Sequence, residues 1–163
     1  MPFTPFRPKL GSMKLLDLFS NYFTVRAELI AAVRNLTPEQ MAFTAPNHPN
    51  SIGWLLVHIA ETEYWWIADV ALGQADHSRY ETFKPDMNLP DVLTLLDEMH
   101  ELTRHYLDVT ELEDWDTIFY PIPDRAEKVS ARWLVWHVVE HQARHRGQVF
   151  MLLRMQGLDV PHV

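Results

Sequence analysis

The segment EHQARHRGQVFMLLRMQG, residues 140–157, carries the clearest structural pattern in the sequence. Its apolar residues recur at spacings of three and four, which predicts an amphipathic helix running from a cap at Ser130 to about Gln156. Two histidines, His141 and His145, fall on the apolar side of that helix. The apolar stripe consists of Leu134, Val138, His141, His145, Val149 and Leu152. A helix that places imidazoles in its core-facing stripe predicts either buried structural histidines or a site.

Other segments show the same helical repeat of apolar residues. They are Leu15 to Val33, a short helix opened by TPEQ at Thr37, Ser51 to Gly73, and Pro90 to about Glu111. No segment has a clear strand pattern, and residues 74–88 and 113–129 are expected to be loops. Because a long loop in a compact domain is often functional, we expect the second loop to face substrate. The sequence therefore predicts an all-α, up-down four-helix bundle with long connections.

The 163-residue chain is long enough for one domain. Residues 1–11 hold three prolines and are predicted to form an extended N-terminal arm, ahead of a single helical domain over residues 12–163. The formal net charge is −8, with no basic stripe, so we expect no nucleic-acid partner. No apolar run reaches transmembrane length and no export signal is evident, which predicts no membrane partner and a cytoplasmic location.

The pair His141 and His145 admits two explanations of equal weight from the residues alone. A buried imidazole without a partner costs roughly 1–3 kcal/mol, so each ring must be hydrogen-bonded or coordinated. Histidines four residues apart on a helix form a good two-ligand unit for a divalent metal. Carboxylates from other helices would satisfy the same rings equally well. His58 lies at the edge of the apolar face of its own helix, where it can meet the pair across the bundle.

The runs SIGWLLVHIAETEYWW and WHVVEHQARHRGQV, together with the four-helix pattern, resemble the DinB/YfiT-like superfamily of metal-binding helical bundles. The likeness extends from about Ser12 to Gln156, and its most specific part is HQARHRGQ. In that family one histidine of the second long helix and two of the last helix bind a divalent metal. The resemblance therefore implies that His58, His141 and His145 are metal ligands, and that the bundle forms a homodimer.

The remaining candidate residues receive structural interpretations. His137 is expected to pack beside the ligands or support them, and His100 and His105 are expected to be solvated. His48, His77 and His162 fall in loops or at the terminus. The pairs Trp65/Trp66 and Trp133/Trp136 are expected to be mostly core, with one member of each pair lining a pocket or a subunit interface. Glu61, one turn after His58, is a candidate either to support a ligand or to act as a general base, and Glu63 is a second carboxylate that flanks the site in sequence.

Three imidazoles without a fourth protein ligand predict an open coordination sphere, which is typical of catalytic metals. Imidazole suits several transition metals, so the cofactor is predicted to be one divalent ion such as Zn, Ni or Fe. The resemblance implies a metal-dependent transferase for low-molecular-weight thiols; the thiol must then be a small-molecule cosubstrate because the chain has no cysteine. A metal-dependent hydrolase and a non-enzymatic metal-binding or dimeric interaction module are the alternatives.

Overall fold

A computed structural model describes residues 14–74, 76–111 and 115–161. Its helices are α1 (Leu15–Leu18), α2 (Ser20–Val33), α3 (Pro38–Met41), α4 (Ile52–Tyr64), a π-helical segment (Trp65–Ala71), a 3-10 helix (His77–Thr82), α5 (Leu89–Val109) and α6 (Ala131–Met155). Two short strands, β1 (Phe119–Pro121) and β2 (Lys128–Ser130), form an antiparallel hairpin. The predicted all-α fold is confirmed, and the predicted N-terminal arm lies outside the described residues. None of the described helices is long and apolar enough to cross a membrane.

The helix boundaries follow from side chains that satisfy the free backbone N–H groups at each N-terminus. Ser51 caps α4 by accepting from the Trp54 N–H at 3.1 Å, and Ser130 caps α6 by accepting from the Trp133 N–H at 3.2 Å. Thr37 and Gln40 form a reciprocal capping box around α3, as TPEQ predicted. Gly73 has a φ of 62°, which suits glycine and ends the helical run that began at Ile52.

Four local predictions were wrong. The helix predicted from Leu15 is broken at Phe19, and the run from Ser51 ends as a π-helix rather than an α-helix. Residues 74–88 contain the 3-10 helix, where Asp76 accepts from the Ser78 N–H. The second predicted loop contains the hairpin, which no alternating pattern announced because each strand has only three residues.

Two apolar clusters fill the bundle. The interface between α4 and α6, called the α4–α6 seam below, borders both clusters. The first surrounds the middle of α4 and the C-terminal half of α6, and includes Ile59 and Val149. The second joins α1, the π-helix, the hairpin and the N-terminal half of α6, and includes Trp66 and Val138. Helix α4 packs on both α5 and α6, and α2 packs on α6. The predicted site residues therefore lie on packed helices of the bundle.

Candidate metal centre

The three predicted ligands lie together on the α4–α6 seam. His141 and His145 occupy successive turns of α6, and their Nε2 atoms are 3.1 Å apart. His58 reaches them from α4, with its Nε2 atom 3.2 Å from Nε2 of His141. One ligand nitrogen from each of the three histidines lies within 4.8 Å of the other two, so the group could hold a metal ion.

The alternative explanation, in which carboxylates of other helices satisfy the buried pair, does not match the structure. Among the described residues, no carboxylate hydrogen-bonds to any of the three imidazoles, which contact one another instead. A neutral imidazole has one N–H donor and one acceptor nitrogen. The Nε2 atom of His141 faces two other Nε2 atoms, and this one atom cannot act as donor to one and acceptor from the other. Shared coordination of a cation satisfies all three nitrogens together.

The other ring nitrogen of His145 has a hydrogen-bond partner on the same helix. Its Nδ1–H donates to Oε1 of Gln148 at 2.5 Å, so the proton is on Nδ1 and the lone pair of Nε2 points toward the other histidines. Metal-binding histidines usually have such an acceptor behind them, which fixes both tautomer and ring orientation. Gln148 is the glutamine of the HRGQ run. On α4, the Trp54 ring stacks on the His58 ring at a centroid distance of 4.7 Å and holds it in place.

The environment keeps the three imidazoles neutral, as metal coordination requires. Burial lowers the pKa of His58 and is the leading cause of the lowered pKa of His145. Burial, followed by the neighbouring His145 and His58, lowers the pKa of His141 to about 3. Each of these effects disfavours the charged form of the ring. At neutral pH the centre therefore offers neutral nitrogen ligands.

The donor set is open. Among the residues that the structure describes, no fourth histidine, cysteine or carboxylate joins the three-histidine group. Glu61 lies one turn beyond His58, is half-buried, and forms no hydrogen bond or ion pair with any described residue. Burial raises the pKa of its carboxyl group. A carboxylate with these properties is suited to accept a proton.

His137 packs beside the group without joining it, as expected. Its ring stacks on Trp133 at 4.7 Å and meets the edge of Trp66 at 4.9 Å, while its centroid is 5.9 Å from that of His141. The expectation that the tryptophan pairs are mostly core was wrong for α6. Trp133 is 43% exposed and Trp136 is 63% exposed, whereas Trp66 is buried. Trp133 and Trp136 are three residues apart, so they lie on the same face of α6, and that face is partly exposed.

The environments predicted for the remaining histidines were correct for His48 and His105 and wrong for His100. His105 is exposed, and His48 lies in a loop with Nδ1 3.2 Å from the Asn50 carbonyl oxygen, both as expected. His100 was expected to be solvated, which is wrong. Its ring stacks on Tyr22 at 4.9 Å, and its Nδ1 atom is buried without a hydrogen-bond partner in the described part of the chain. His162 and the side chain of His77 lie outside the described residues.

A buried ionic network was missed by the sequence interpretation. Glu63 accepts hydrogen bonds from Tyr22, from Arg26 and, at 2.6 Å, from the Thr103 hydroxyl. Arg26 also donates to the Leu96 carbonyl oxygen at 3.1 Å. Arg26 and Glu63 are both buried, so their charges compensate each other in the core. Glu63, which was expected to flank the site, belongs to this network.

A signal for this network exists in the sequence. Arg26 interrupts the buried face Tyr22, Leu29 and Val33 of α2, four residues after Tyr22 and three before Leu29. Glu63 likewise follows Ile59 by one turn on the buried face of α4. A cation and an anion that each interrupt an apolar stripe predict a buried pair, because an unpaired buried charge is strongly disfavoured.

Comparison with known proteins gives one family and one fold. The family model of the DinB superfamily matches residues 22–149. A DinB-like protein from Bacillus cereus ATCC 10987, known from a crystal structure, is similar with a TM-score of 0.63 and 21% sequence identity. The similarity covers 89% of this chain and 94% of that one. No curated protein matches the chain.

Proposed function

The chain belongs to the DinB superfamily, and from that premise we propose that it is an enzyme using one divalent transition metal held by His58, His141 and His145. The observation that carries the proposal is the convergence of three Nε2 atoms on one point of the α4–α6 seam. Three imidazoles suit Zn, Ni or Fe. The open donor set favours a catalytic role, since structural zinc sites usually have four protein ligands.

The residues around the centre are suited to prepare a bound substrate. A divalent ion at this position would lower the pKa of a coordinated thiol or water molecule toward neutrality. Gln148 and Trp54 hold the rings of His145 and His58 in the orientation that coordination needs. Burial keeps the imidazoles from taking up protons that would compete with the ion.

The proposed reaction is transfer of a low-molecular-weight thiol to a small electrophile. The sulfur of the deprotonated thiol forms a bond to an electrophilic carbon, and the bond from that carbon to its leaving group breaks. The thiol proton passes to solvent, and the leaving group departs with the bonding electrons. The chain contains no cysteine, so the sulfur must belong to a cosubstrate. The cytoplasm is the proposed location, because small thiols are kept reduced there.

Glu61 favours metal-dependent hydrolysis as a second candidate. Its carboxylate is half-buried, has no described partner, and has a pKa that burial raises. Those properties suit a general base that removes a proton from an attacking water molecule. Replacing Glu61 with Gln separates the two reactions: hydrolysis should lose most of its rate, whereas thiol transfer to an epoxide or haloaromatic should be reduced far less.

We also propose that the chain forms a homodimer through the exposed face of α6. Trp133 and Trp136 expose large aromatic surfaces on neighbouring turns, and clustered exposed aromatics are typical of contact surfaces. Sedimentation at tens of micromolar should show a dimer, and Trp136→Glu should convert it to monomer. A wild-type chain that sediments only as monomer would contradict the proposal.

The functional test combines metal loading with a substrate panel. Metal-loaded protein is assayed with small thiols and epoxide or haloaromatic electrophiles, and with hydrolase substrates in parallel. We expect turnover that disappears on chelation and returns when the metal is restored. Turnover that persists without metal would exclude this mechanism. A metal-loaded protein inactive on every panel would favour a non-enzymatic metal-binding or interaction module.

A further inference from the structure

The three candidate ligands differ in what lies behind their coordinating nitrogens. His145 donates its Nδ1–H directly to Gln148. His141 is the most buried of the three, and its described hydrogen bonds are all made by Nε2. A ligand whose Nε2 lone pair faces the metal must have its proton on Nδ1, and that N–H needs an acceptor.

A small cavity of about 10 Å³ adjoins His141 on the core side of the seam. Its lining consists of Ile59, Thr62, Glu63, Val138, His141 and Gln142. This volume is about that needed by the centre of one water molecule, and a buried water requires two to four polar partners. Four residues of this lining carry polar side-chain atoms that a water could contact: Thr62, Glu63, His141 and Gln142.

Gln142 is the lining residue with an acceptor still to be satisfied. Its side chain is only 2% exposed, and its Oε1 atom is buried without a hydrogen-bond partner among the described residues. Its Nε2 atom donates to the Tyr22 carbonyl oxygen at 3.3 Å, which fixes the amide and assigns the acceptor role to Oε1. Glu63 is less available, because its carboxylate already accepts from Tyr22, Arg26 and Thr103.

We infer that one buried water in this cavity accepts the Nδ1–H of His141 and donates to Oε1 of Gln142. Gln142 is then a positioning residue: it acts through the water to fix the tautomer and ring orientation of a metal ligand. The inference rests on the proposed metal centre. It also connects that centre to the buried network, since Gln142 is anchored on the backbone of Tyr22.

The variant that tests this role is Gln142→Met, which keeps the length of the side chain but has no amide acceptor. Loss of such an indirect partner typically weakens metal binding about 10–100-fold. We expect a loss in that range for zinc, measured by competition with a chelator. The matched comparison is Gln148→Met, which removes the direct acceptor of His145 and should weaken zinc binding in the same way.

Nitrogen-15 spectra of zinc-loaded protein provide a readout that a packing role would not change. In the wild type, the Nδ1 proton of His141 should be visible and slow to exchange with solvent. In Gln142→Met it should exchange faster, while the Nδ1 proton of His145 is unchanged. Equal zinc affinity and equal exchange in wild type and Gln142→Met would overturn the inference.

A measurement on the wild type avoids dependence on the folding of a variant. A crystal structure of the zinc-bound protein should show one ordered water within hydrogen-bonding distance of both Nδ1 of His141 and Oε1 of Gln142. A dry cavity, or a direct contact between the two side chains, would overturn the inference while leaving the metal centre intact. Failure of the wild type to bind any divalent metal would overturn both.

Discussion

Helix α4 places a polar residue in each of two polar clusters inside the bundle, one buried and one partly buried, that solve the same physical problem differently. Glu63 belongs to an ionic network in which opposite charges and hydroxyl groups satisfy one another. His58, five positions earlier, belongs to a group of three like imidazoles whose nitrogens face each other. In the first cluster the opposite charges compensate each other and the Glu63 carboxylate is satisfied, although Nε of Arg26 has no described partner. In the second cluster the like nitrogens cannot satisfy one another. A buried polar cluster that cannot satisfy itself is therefore the better candidate for a ligand site.

The largest expected effect comes from breaking the charge-compensated ionic network. Glu63→Gln retains the size of the side chain but leaves the buried Arg26 guanidinium without a counter-charge. Removing one partner of a buried ion pair typically costs about 3–5 kcal/mol. We expect the free energy of unfolding, measured with urea, to fall by that amount. Glu101→Gln, in an exposed i,i+3 pair with Arg104, is the control and should change stability by less than about 1 kcal/mol.

A second replacement checks that this loss comes from the unpaired charge. In the double variant Arg26→Met with Glu63→Leu, no charge is left uncompensated, so part of the stability should return. A double variant less stable than Glu63→Gln would show that the network stabilises the fold in another way.

The sequence interpretation found the histidine cluster and missed the ionic network, for physical reasons. His141 and His145 are four residues apart on one helix, so their spacing alone places them together. His58 was assigned through its position on the apolar face and the family resemblance. Arg26 and Glu63 are 37 positions apart and on different helices, so their contact depends on tertiary packing. The π-helix, the three-residue strands and the cavity beside Gln142 likewise depend on packing that no local pattern encodes.

The next largest effect is expected when zinc binds to the three-histidine cluster. Zinc that binds only the folded state should stabilise it by about 2.7 kcal/mol at a free concentration one hundred times Kd. For a domain of this size that corresponds to a rise in Tm of roughly 5–10 °C. His58→Ala should lose the rise, whereas Glu63→Gln, if folded, should keep it. An equal rise in wild type and His58→Ala would place zinc elsewhere.

Removing one imidazole from the metal-free protein should have a smaller effect than removing Glu63. His145 is half-buried, and its ring faces two other neutral rings rather than an opposite charge. His145→Ala should therefore change the free energy of unfolding by no more than about 1 kcal/mol, with an unchanged helical circular dichroism spectrum. A loss comparable to that of Glu63→Gln would show that the imidazole group is structural.

The last predicted effect is a pH dependence at His100, which stacks on the network residue Tyr22. Burial, with the Arg26 charge next, lowers the pKa of His100 below its ordinary value of 6.5. Below pH 6.5 the unfolded chain therefore binds a proton at His100 that the folded chain does not bind. The contribution of His100 to the free energy of unfolding is constant above pH 6.5 and falls as the pH drops below it. Replacing His100 with Phe should make the free energy of unfolding depend less steeply on pH below that value, by at most about 1.4 kcal/mol per pH unit.

Urea titrations between pH 5 and 8 measure that difference, with exposed His105→Phe as the control. The slope of the control should equal that of the wild type. If the free energy of unfolding of His100→Phe also varied with pH as in the wild type, His100 would have to be protonated equally in the folded and unfolded states.

The central claim is that His58, His141 and His145 together bind one divalent metal ion. Elemental analysis of protein purified without chelator, then loaded with zinc and desalted, tests it most directly. The account predicts about one metal ion per chain in the wild type and in His105→Ala, and far less in His145→Ala and in the variant lacking all three histidines. Equal metal content in the wild type and that triple variant would contradict the account.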